Sequence, residues 1–308
     1  MRQSKYWDDF ERRIEETVHC LKNGIPPPVR RVAIFITNKC NFRCQYCNVN
    51  FNTKELSQSR MEEILQEYGK EPIYHITGGE PSTVKWLYPF LRENGDSYRF
   101  HLNTNAFIPP PAEHIRRLKV SLEGTSPEWD KLVQHPNAFN AVVKNIQEAI
   151  PHTIVSITYT LSKSNYKESI NFAKFARDKF PGLYAIFFSV YKGNHPKFAL
   201  SKEDVDLFFN DILPKLKESL DEESRNLIEE TIDEKIRLMQ GVRFPNNLKK
   251  TCFLSMSERV ISPEGETSTC SHLYRDGIKQ DGFAKHPKCM YGCNQRLVCF
   301  NNEVYKRL

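Results

Sequence analysis

Three cysteines, Cys40, Cys44 and Cys47, fall in the segment CNFRCQYC with the spacing C-x3-C-x2-C. Thiolates clustered this tightly grip soft metals, and closed thiolate sites use four ligands. A set of three leaves one metal position open, which marks a site that does chemistry rather than one that only staples a chain. The three thiolates suit three corners of a cubane iron–sulfur cluster. They also suit zinc, if Cys252 or a histidine supplies a distant fourth ligand. A second group, Cys252, Cys270, Cys289, Cys293 and Cys299, lies far along the chain with no cysteine between the groups. Cys20 stands apart and reads as an apolar residue of a helix.

The elements that must hold these residues are legible as patterns. Trp7, Phe10, Ile14, Val18 and Leu21 recur at three- and four-residue steps and predict a helix over 5–23, which GIPPPVR ends. From Arg31 six β-rich runs, RVAIFIT, PIYHIT, YRFHLNTN, LKVSLEG, TIVSITYTL and LYAIFFSVY, alternate with helical patterns. Ser59 with Glu62 reads as a capping box and Gly69 as a C-cap. Asn165 with Glu168 reads as a further helix start. Six strand–helix repeats predict an α/β fold with a parallel sheet, either a partial barrel or a doubly wound sheet. CNFRCQYC directly follows the first strand, where sites of such folds gather.

Residues 201–240 read as two helices broken at Pro214. The stretch RVISPEGETSTC reads as a strand, a Pro-Glu-Gly turn and a strand. The cysteine-dense region 251–308 has few large apolar side chains, so a metal is the natural staple for it. The expected units are a helix and linker over 1–30, a barrel over 31–200, a helical bridge over 201–250 and the appendage over 251–308.

The chain has 308 residues, 39% hydrophobic and 27% charged, an ordinary globular composition. No apolar run approaches the roughly 18 residues of a membrane span, and the charged start MRQSKYWDDFERRIEE lacks a secretory apolar core. The expected location is the cytoplasm, where nine cysteines point to metal rather than disulfides. A net charge of +6 without a basic run argues against nucleic acid as partner.

These residues together resemble the radical S-adenosylmethionine (radical SAM) superfamily. The C-x3-C-x2-C motif follows the first strand with Tyr46 before its last cysteine, and ITGGEP, residues 76–81, follows the second. NTNA, residues 103–106, and SLEG, residues 121–124, close the third and fourth strands; Glu123 stands where the family usually has aspartate. The likeness runs from residue 31 to about 192. It implies a partial (β/α)6 TIM-like barrel and a 4Fe–4S cluster on Cys40, Cys44 and Cys47, its open iron chelated by S-adenosylmethionine. It implies cofactor contacts from Tyr46, Gly78, Gly79, Glu80, Asn103, Thr104 and Ser121. Gly78 and Gly79 would admit close backbone approach, and Glu80 would accept from the ammonium. Asn103, Thr104 and Ser121 also read as ordinary strand ends.

The C-terminal cysteines resemble the SPASM and twitch appendages of that superfamily, here with C-x3-C in place of C-x2-C. The set is too small for two auxiliary clusters and implies one auxiliary 4Fe–4S cluster. The favoured ligands are Cys252 and Cys270, joined by the hairpin, with Cys289 and Cys293, joined by a turn at Gly292. Cys299 would replace Cys289, serve as a hydrogen-atom donor, or be a buried apolar residue. Zinc also suits four thiolates, with His272 or His286 in reserve. Substrate is expected over the strand ends near Tyr159, Tyr191, Lys192 and Asn194. The implied reaction is oxidation or epimerisation of a small sugar or cyclitol, fed by a flavodoxin- or ferredoxin-type electron donor. The alternatives are crosslinking, oxidising or epimerising a ribosomal peptide, or a non-catalytic metal-stapled binding protein.

Overall fold

The computed structural model describes residues 6–47, 49–191, 193, 195–231, 251–275, 277, 282–283 and 300–308. Strands β1 (Arg31–Phe35), β2 (Ile73–Thr77), β3 (Arg99–Thr104), β4 (Arg117–Ser121), β5 (Ile154–Leu161) and β6 (Ala185–Val190) pair in sequence order, all parallel. Helices α2 (Gln58–Tyr68), α3 (Leu87–Asn94), α4 (Trp129–Val133), α5 (Ala138–Ala149) and α6 (Ser169–Lys179) lie in the crossovers. This is the α/β fold with a parallel sheet that the alternating pattern predicts, and of its two forms it is the partial barrel that the resemblance implies.

The two faces of the sheet differ in kind. Successive strand residues point to opposite faces. Val32, Ile34, Tyr74, Ile76, Phe100, Leu102, Leu118, Val120, Ile157 and Phe188 are buried and form the main core with helix residues such as Ile64, Leu91, Val142 and Phe172. The alternate residues, among them His75, His101, Asn103, Lys119, Thr158, Thr160 and Ser189, are only half-buried on the inner face. A parallel sheet buried on both faces reads as continuous apolar runs; this one keeps a polar inner face.

The hairpin expected at RVISPEGETSTC forms and extends the sheet. Its first strand, β7 (Glu258–Ile261), pairs parallel with β1, so it is a seventh parallel strand; β8 (Thr267–Ser268) returns antiparallel. Arg31 reaches Glu258 across this seam at 3.1 Å. A second core joins helix α1 (Tyr6–Lys22) to this region through Ile14, Val18, Cys252, Phe253, Leu254, Phe300 and Val304. Cys20 is only half-buried beside it.

Three local readings shift. The cap of α2 is Ser57, which accepts from the Arg60 amide at 3.2 Å, rather than Ser59. Gly69 ends that helix at φ +70°, as expected. Asn165 turns its side chain back to Ser162 and Thr160 and precedes a 3-10 turn, Tyr166–Glu168. At Pro214 the helical path does not break. Helix α7 (Lys202–Leu207) widens into a π-turn over Phe208–Ile212 and continues as α8 (Leu213–Ser219). The wider turn accommodates the proline that has no N–H to give. The break comes at Leu220, and Asp221 caps α9 (Glu222–Glu230).

Candidate active site

The cysteine loop is fixed from several sides. Past β1, the Ile36 amide donates to Thr77 at 2.9 Å and the Leu56 amide donates back to Ile36 at 2.8 Å. Phe42 drops into the core with its ring 5.8 Å from Phe107, 6.0 Å from Trp129 and 5.1 Å from His135. The Arg43 and Gln45 amides donate to Val133 and Leu132 at the end of α4, at 2.9 and 3.0 Å. Burying the one large apolar side chain between the first two cysteines leaves Cys40, Cys44 and Cys47 half-buried. The amides of Phe42 and Val49 point at the sulfurs of Cys40 and Cys47, each at 3.4 Å.

Burial pushes the Cys40 thiol up to about 11 and raises Cys44 and Cys47 as well. The Phe42 and Val49 amides oppose the rise at Cys40 and Cys47. Cys44 also feels the carboxyl of Glu123. A bound cation reverses this logic, since a coordinating thiol deprotonates. Each of Cys40 and Cys44 is close enough to feel the charge of Cys47. Yet among the described residues no three metal-binding side chains converge on a single ion. An all-sulfur set of three on one loop suits a cluster, where each thiolate takes its own iron.

The Gly-Gly-Glu segment packs closely against the chain that leads into the cysteine loop. Gly78 stands at φ +145°, and a Cβ there would lie 2.5 Å from the Thr37 carbonyl oxygen. A Cβ on Gly79 would lie 2.2 Å from the Lys39 carbonyl oxygen. The Gly79 amide donates to Thr37 at 2.7 Å and the Glu80 amide to Lys39 at 2.8 Å. The glycines thus admit the strand that leads into Cys40. Glu80, 1% exposed, accepts from Thr104 Oγ1 at 2.6 Å, from the Asn105 amide at 2.7 Å and from the Ser82 amide at 3.0 Å. Burial raises its pKa, and these three donors pull the other way. Thr104 Oγ1 in turn accepts from the Ala106 amide at 2.9 Å. Glu80 and Thr104, expected at the cofactor, are bound to each other and tie the end of β2 to the end of β3. Asn103 faces the inner side one residue earlier, and Ser121 is exposed at the end of β4.

Tyr46 is held by its hydroxyl, which donates to Glu123 at 2.7 Å. Glu123 is buried, and that burial pushes it up to about 7. The carboxylate that departs from the family pattern therefore braces the cysteine loop against β4. On its other side the Tyr46 ring meets Phe198 edge-on at 6.2 Å; Phe198 meets Tyr191 at 5.7 Å. Lys197 donates to Gln45 at 2.5 Å. The segment after β6 thus reaches the loop after β1 and spans one side of the mouth, a contact that no motif announced.

Tyr159 does not line the site. It is fully buried on the helix side, its ring 4.5 Å from Phe172 and its hydroxyl donating to the Asn165 carbonyl at 2.8 Å. Strand alternation puts Thr158 and Thr160 inward instead. Tyr191 stays half-buried near the mouth; Lys192 and Asn194 lie outside the described residues.

In the C-terminal region, Cys252 is buried at the start of the short helix Phe253–Met256. The fully buried Asn301 accepts from the Phe253 and Leu254 amides at 2.6 and 3.1 Å and points its Nδ2 at Cys252 Sγ, 3.5 Å away. Cys252 precedes β7, whose first residue, Glu258, is level with Arg31 at the start of β1. The first cysteine group lies beyond the other end of that strand. Cys289, Cys293, Cys299 and His286 lie outside the described residues, as does the side chain of His272.

Residues 34–176, which hold the cysteine loop, the Gly-Gly-Glu segment and the strand ends that fix both, match the family model of the Radical SAM superfamily. These residues form a radical SAM superfamily domain. Over 282 residues it is 24% identical to a probable GTP 3′,8-cyclase of Methanocaldococcus jannaschii, covering 86% of this chain and 87% of that protein. A second such protein, from Methanococcus maripaludis, is 25% identical over 83% of this chain and 84% of its own. Among solved structures it is similar to anSMEcpe with bound AdoMet and a peptide (TM-score 0.59, 14% identity, 91% of this chain and 96% of that one). It is also similar to Streptococcus suis SuiB bound to precursor peptide SuiA (TM-score 0.58, 13% identity, 87% of this chain, 65% of that one). These likenesses establish the fold. Radical SAM membership brings a 4Fe–4S cluster and S-adenosylmethionine, and Cys40, Cys44 and Cys47 are the residues that fit them.

Proposed function

We propose that this radical SAM enzyme transforms a small polar molecule, of sugar, cyclitol or nucleotide type, bound against the inner face of its sheet. When bound, the cluster and S-adenosylmethionine supply a 5′-deoxyadenosyl radical able to take hydrogen from an unactivated C–H bond. The residues of the chain do the rest. Cys40, Cys44 and Cys47 hold three corners of the cluster, and the backbone straps from Gly79, Glu80 and Leu56 keep that loop at the strand ends. Asn103 and Ser121 are placed to meet polar groups of the cofactor, while Glu80 and Thr104 fix the strand ends that present them. Tyr46, Phe198 and Tyr191 shield one side of the mouth from water.

The observation that carries this reading is the inner face, polar and half-buried directly beneath the cysteine loop. The relatives aligned along most of their length bear the name of a nucleotide cyclase, which supports a small-molecule substrate and adds ring closure to the oxidation and epimerisation expected from the residues. A peptide substrate is the second reading, favoured by the likeness to the two peptide-bound structures. In either case our reading keeps one auxiliary cluster on Cys252, Cys270, Cys289 and Cys293, with a flavodoxin- or ferredoxin-type protein supplying electrons. Cys299 remains our candidate hydrogen-atom donor if the reaction is an epimerisation.

The test is anaerobic turnover with dithionite and S-adenosylmethionine, offered GTP, sugar phosphates, cyclitols and peptides in separate reactions. Wild type is expected to form 5′-deoxyadenosine, with one class of small molecule raising the rate. If only peptides raise it, the second reading replaces the first; if no 5′-deoxyadenosine forms at all, catalysis of this type is excluded.

A further inference from the structure

From β1 to β6 every crossover carries an α-helix except one. The connection from β3 to β4, residues 105–116, holds only the 3-10 turn Ala112–His114. Its sequence gives the reason: Pro109, Pro110 and Pro111 lack the N–H groups that a helix interior needs. The outer layer therefore has a slot between α3 and α5. The slot contains a cavity of about 230 Å³, walled by the three prolines with Ala112 and Ala149, and with Arg92, His114 and Asn145 among its polar residues. Those polar groups are not equally committed. Glu113 faces His152 Nδ1 at 3.3 Å, and Glu148 faces Lys144 at 3.6 Å. Asn145 is used within the chain, its Nδ2 donating to the Ala106 and Phe107 carbonyls at 2.8 and 3.1 Å. Two groups are left. Arg92, in the last turn of α3, makes no hydrogen bond or ion pair with any described residue. His114 Nδ1 is buried without a partner. Buried polar atoms are almost always bonded, so an orphan beside a cavity points to something that fills it.

We infer that this cavity is a ligand site separate from the barrel mouth, and that its ligand is a small organic acid with an apolar body. A guanidinium and an imidazole are groups that recognise a carboxylate. The consecutive prolines offer a rigid apolar wall for the rest of the molecule, the usual make-up of a small-molecule site. Charge selects the class of acid. One uncommitted guanidinium suits a single negative charge, whereas a phosphate dianion would also meet the carboxylates of Glu113 and Glu148 in the lining. The volume falls below the roughly 300–1,000 Å³ of drug-sized sites, so the ligand is smaller than a nucleotide. The cavity wall is also joined to the cysteine loop. Asn145 holds the carbonyls of Ala106 and Phe107, and the Phe107 ring lies 5.8 Å from that of Phe42. The inference stands on this outer slot alone and does not depend on which substrate enters the barrel.

The experiment is binding, not turnover. Sodium benzoate is titrated into the full-length reconstituted protein and followed by ligand-observed NMR. Benzyl alcohol supplies the body without the charge, acetate the charge without the body, and inorganic phosphate the other anion. Benzoate is expected to bind about tenfold or more tightly than any of the three. Its binding should weaken about tenfold in Arg92→Gln and less in Arg92→Lys, which keeps the charge. Hydrogen exchange on wild type, which needs no variant, should show benzoate protecting residues 112–115 and 145–152. Absence of benzoate binding, equal binding of benzyl alcohol, acetate or phosphate, binding unaffected by Arg92→Gln, or protection confined to other segments overturns the proposal. The cavity then holds only water beside His114, and Arg92 is an ordinary solvated side chain.

Discussion

The two cysteine regions lie past opposite ends of one strand, β1, and are held in opposite ways. The first is over-determined: backbone bonds from Ile36, Arg43, Gln45, Gly79 and Glu80, the Phe42 anchor, and the Tyr46–Glu123 bridge all fix one loop. In the second, Cys252 is buried in the smaller core, its amide donates to Phe283 at 2.7 Å, and Asn301 reaches its sulfur from a helix 49 residues away in sequence. The first site must hold its shape with one position left to a ligand that comes and goes. A closed site gains its rigidity from the metal it binds. The difference in scaffolding thus matches the difference in ligand count.

The sharpest way to break this comparison is to remove thiolates from each region in turn. Reconstituted wild type should carry about eight irons per chain, the content of two 4Fe–4S clusters. Cys44→Ala should drop this to about four and abolish 5′-deoxyadenosine formation. The pair Cys252→Ala with Cys270→Ala should also leave about four irons, yet still cleave S-adenosylmethionine. Wild type with about four irons, unchanged in the double variant, would show that the C-terminal group holds no cluster.

The next effect separates bracing from ligand contact at the Gly-Gly-Glu segment. Gly79→Ala sets a Cβ 2.2 Å from a backbone oxygen, so the segment must leave Thr37 and Lys39, and iron retention should fall before S-adenosylmethionine is even added. Glu80→Gln turns an acceptor of three bonds into a group with donors facing Thr104 and Asn105. Hydrogen bonds to a charged group contribute roughly 1.5–3 kcal/mol, so apo-protein stability in urea should fall by about 2–3 kcal/mol. If Glu80→Gln left apo stability intact but weakened S-adenosylmethionine binding, the carboxylate would be a ligand contact after all.

Much of this was readable from residue types, and the misses share a cause. Periodicity and punctuation placed six strands, and the cysteine spacing placed the first site, because those signals are local. Tyr159 was placed on the wrong face because a strand rich on both sides, TIVSITYTL, does not say which alternate set points inward. The three donors to Glu80, from Ser82, Thr104 and Asn105, were not legible because two of them lie at or just past the end of β3, more than 20 residues on. The pairing of β7 with β1 and the reach of Asn301 to Cys252 are contacts across more than 40 residues, for which no local pattern exists. Ser57 rather than Ser59 caps α2 because two serines two residues apart carry the same propensity.

The smallest effects test the scaffolding contrast itself. Asn301→Ala strips the acceptor from two buried amides and the donor from beside Cys252. A buried group left unsatisfied costs roughly 1–3 kcal/mol, so a loss of about 2–4 kcal/mol is expected for the two amides, with faster hydrogen exchange over residues 252–256. Tyr46→Phe removes one bond from a loop that has many, and leaves an acid whose raised pKa lets it stay neutral near pH 7. Its cost should be about 1 kcal/mol, with iron content and exchange over residues 40–47 close to wild type. Asn301→Asp keeps the acceptor but sets a carboxylate against the Cys252 sulfur, so it should restore the amides while lowering iron retention in the second region. The order Asn301→Ala above Tyr46→Phe is the point at issue: if Tyr46→Phe proves the more costly, the first loop hangs on one bridge and is not over-determined.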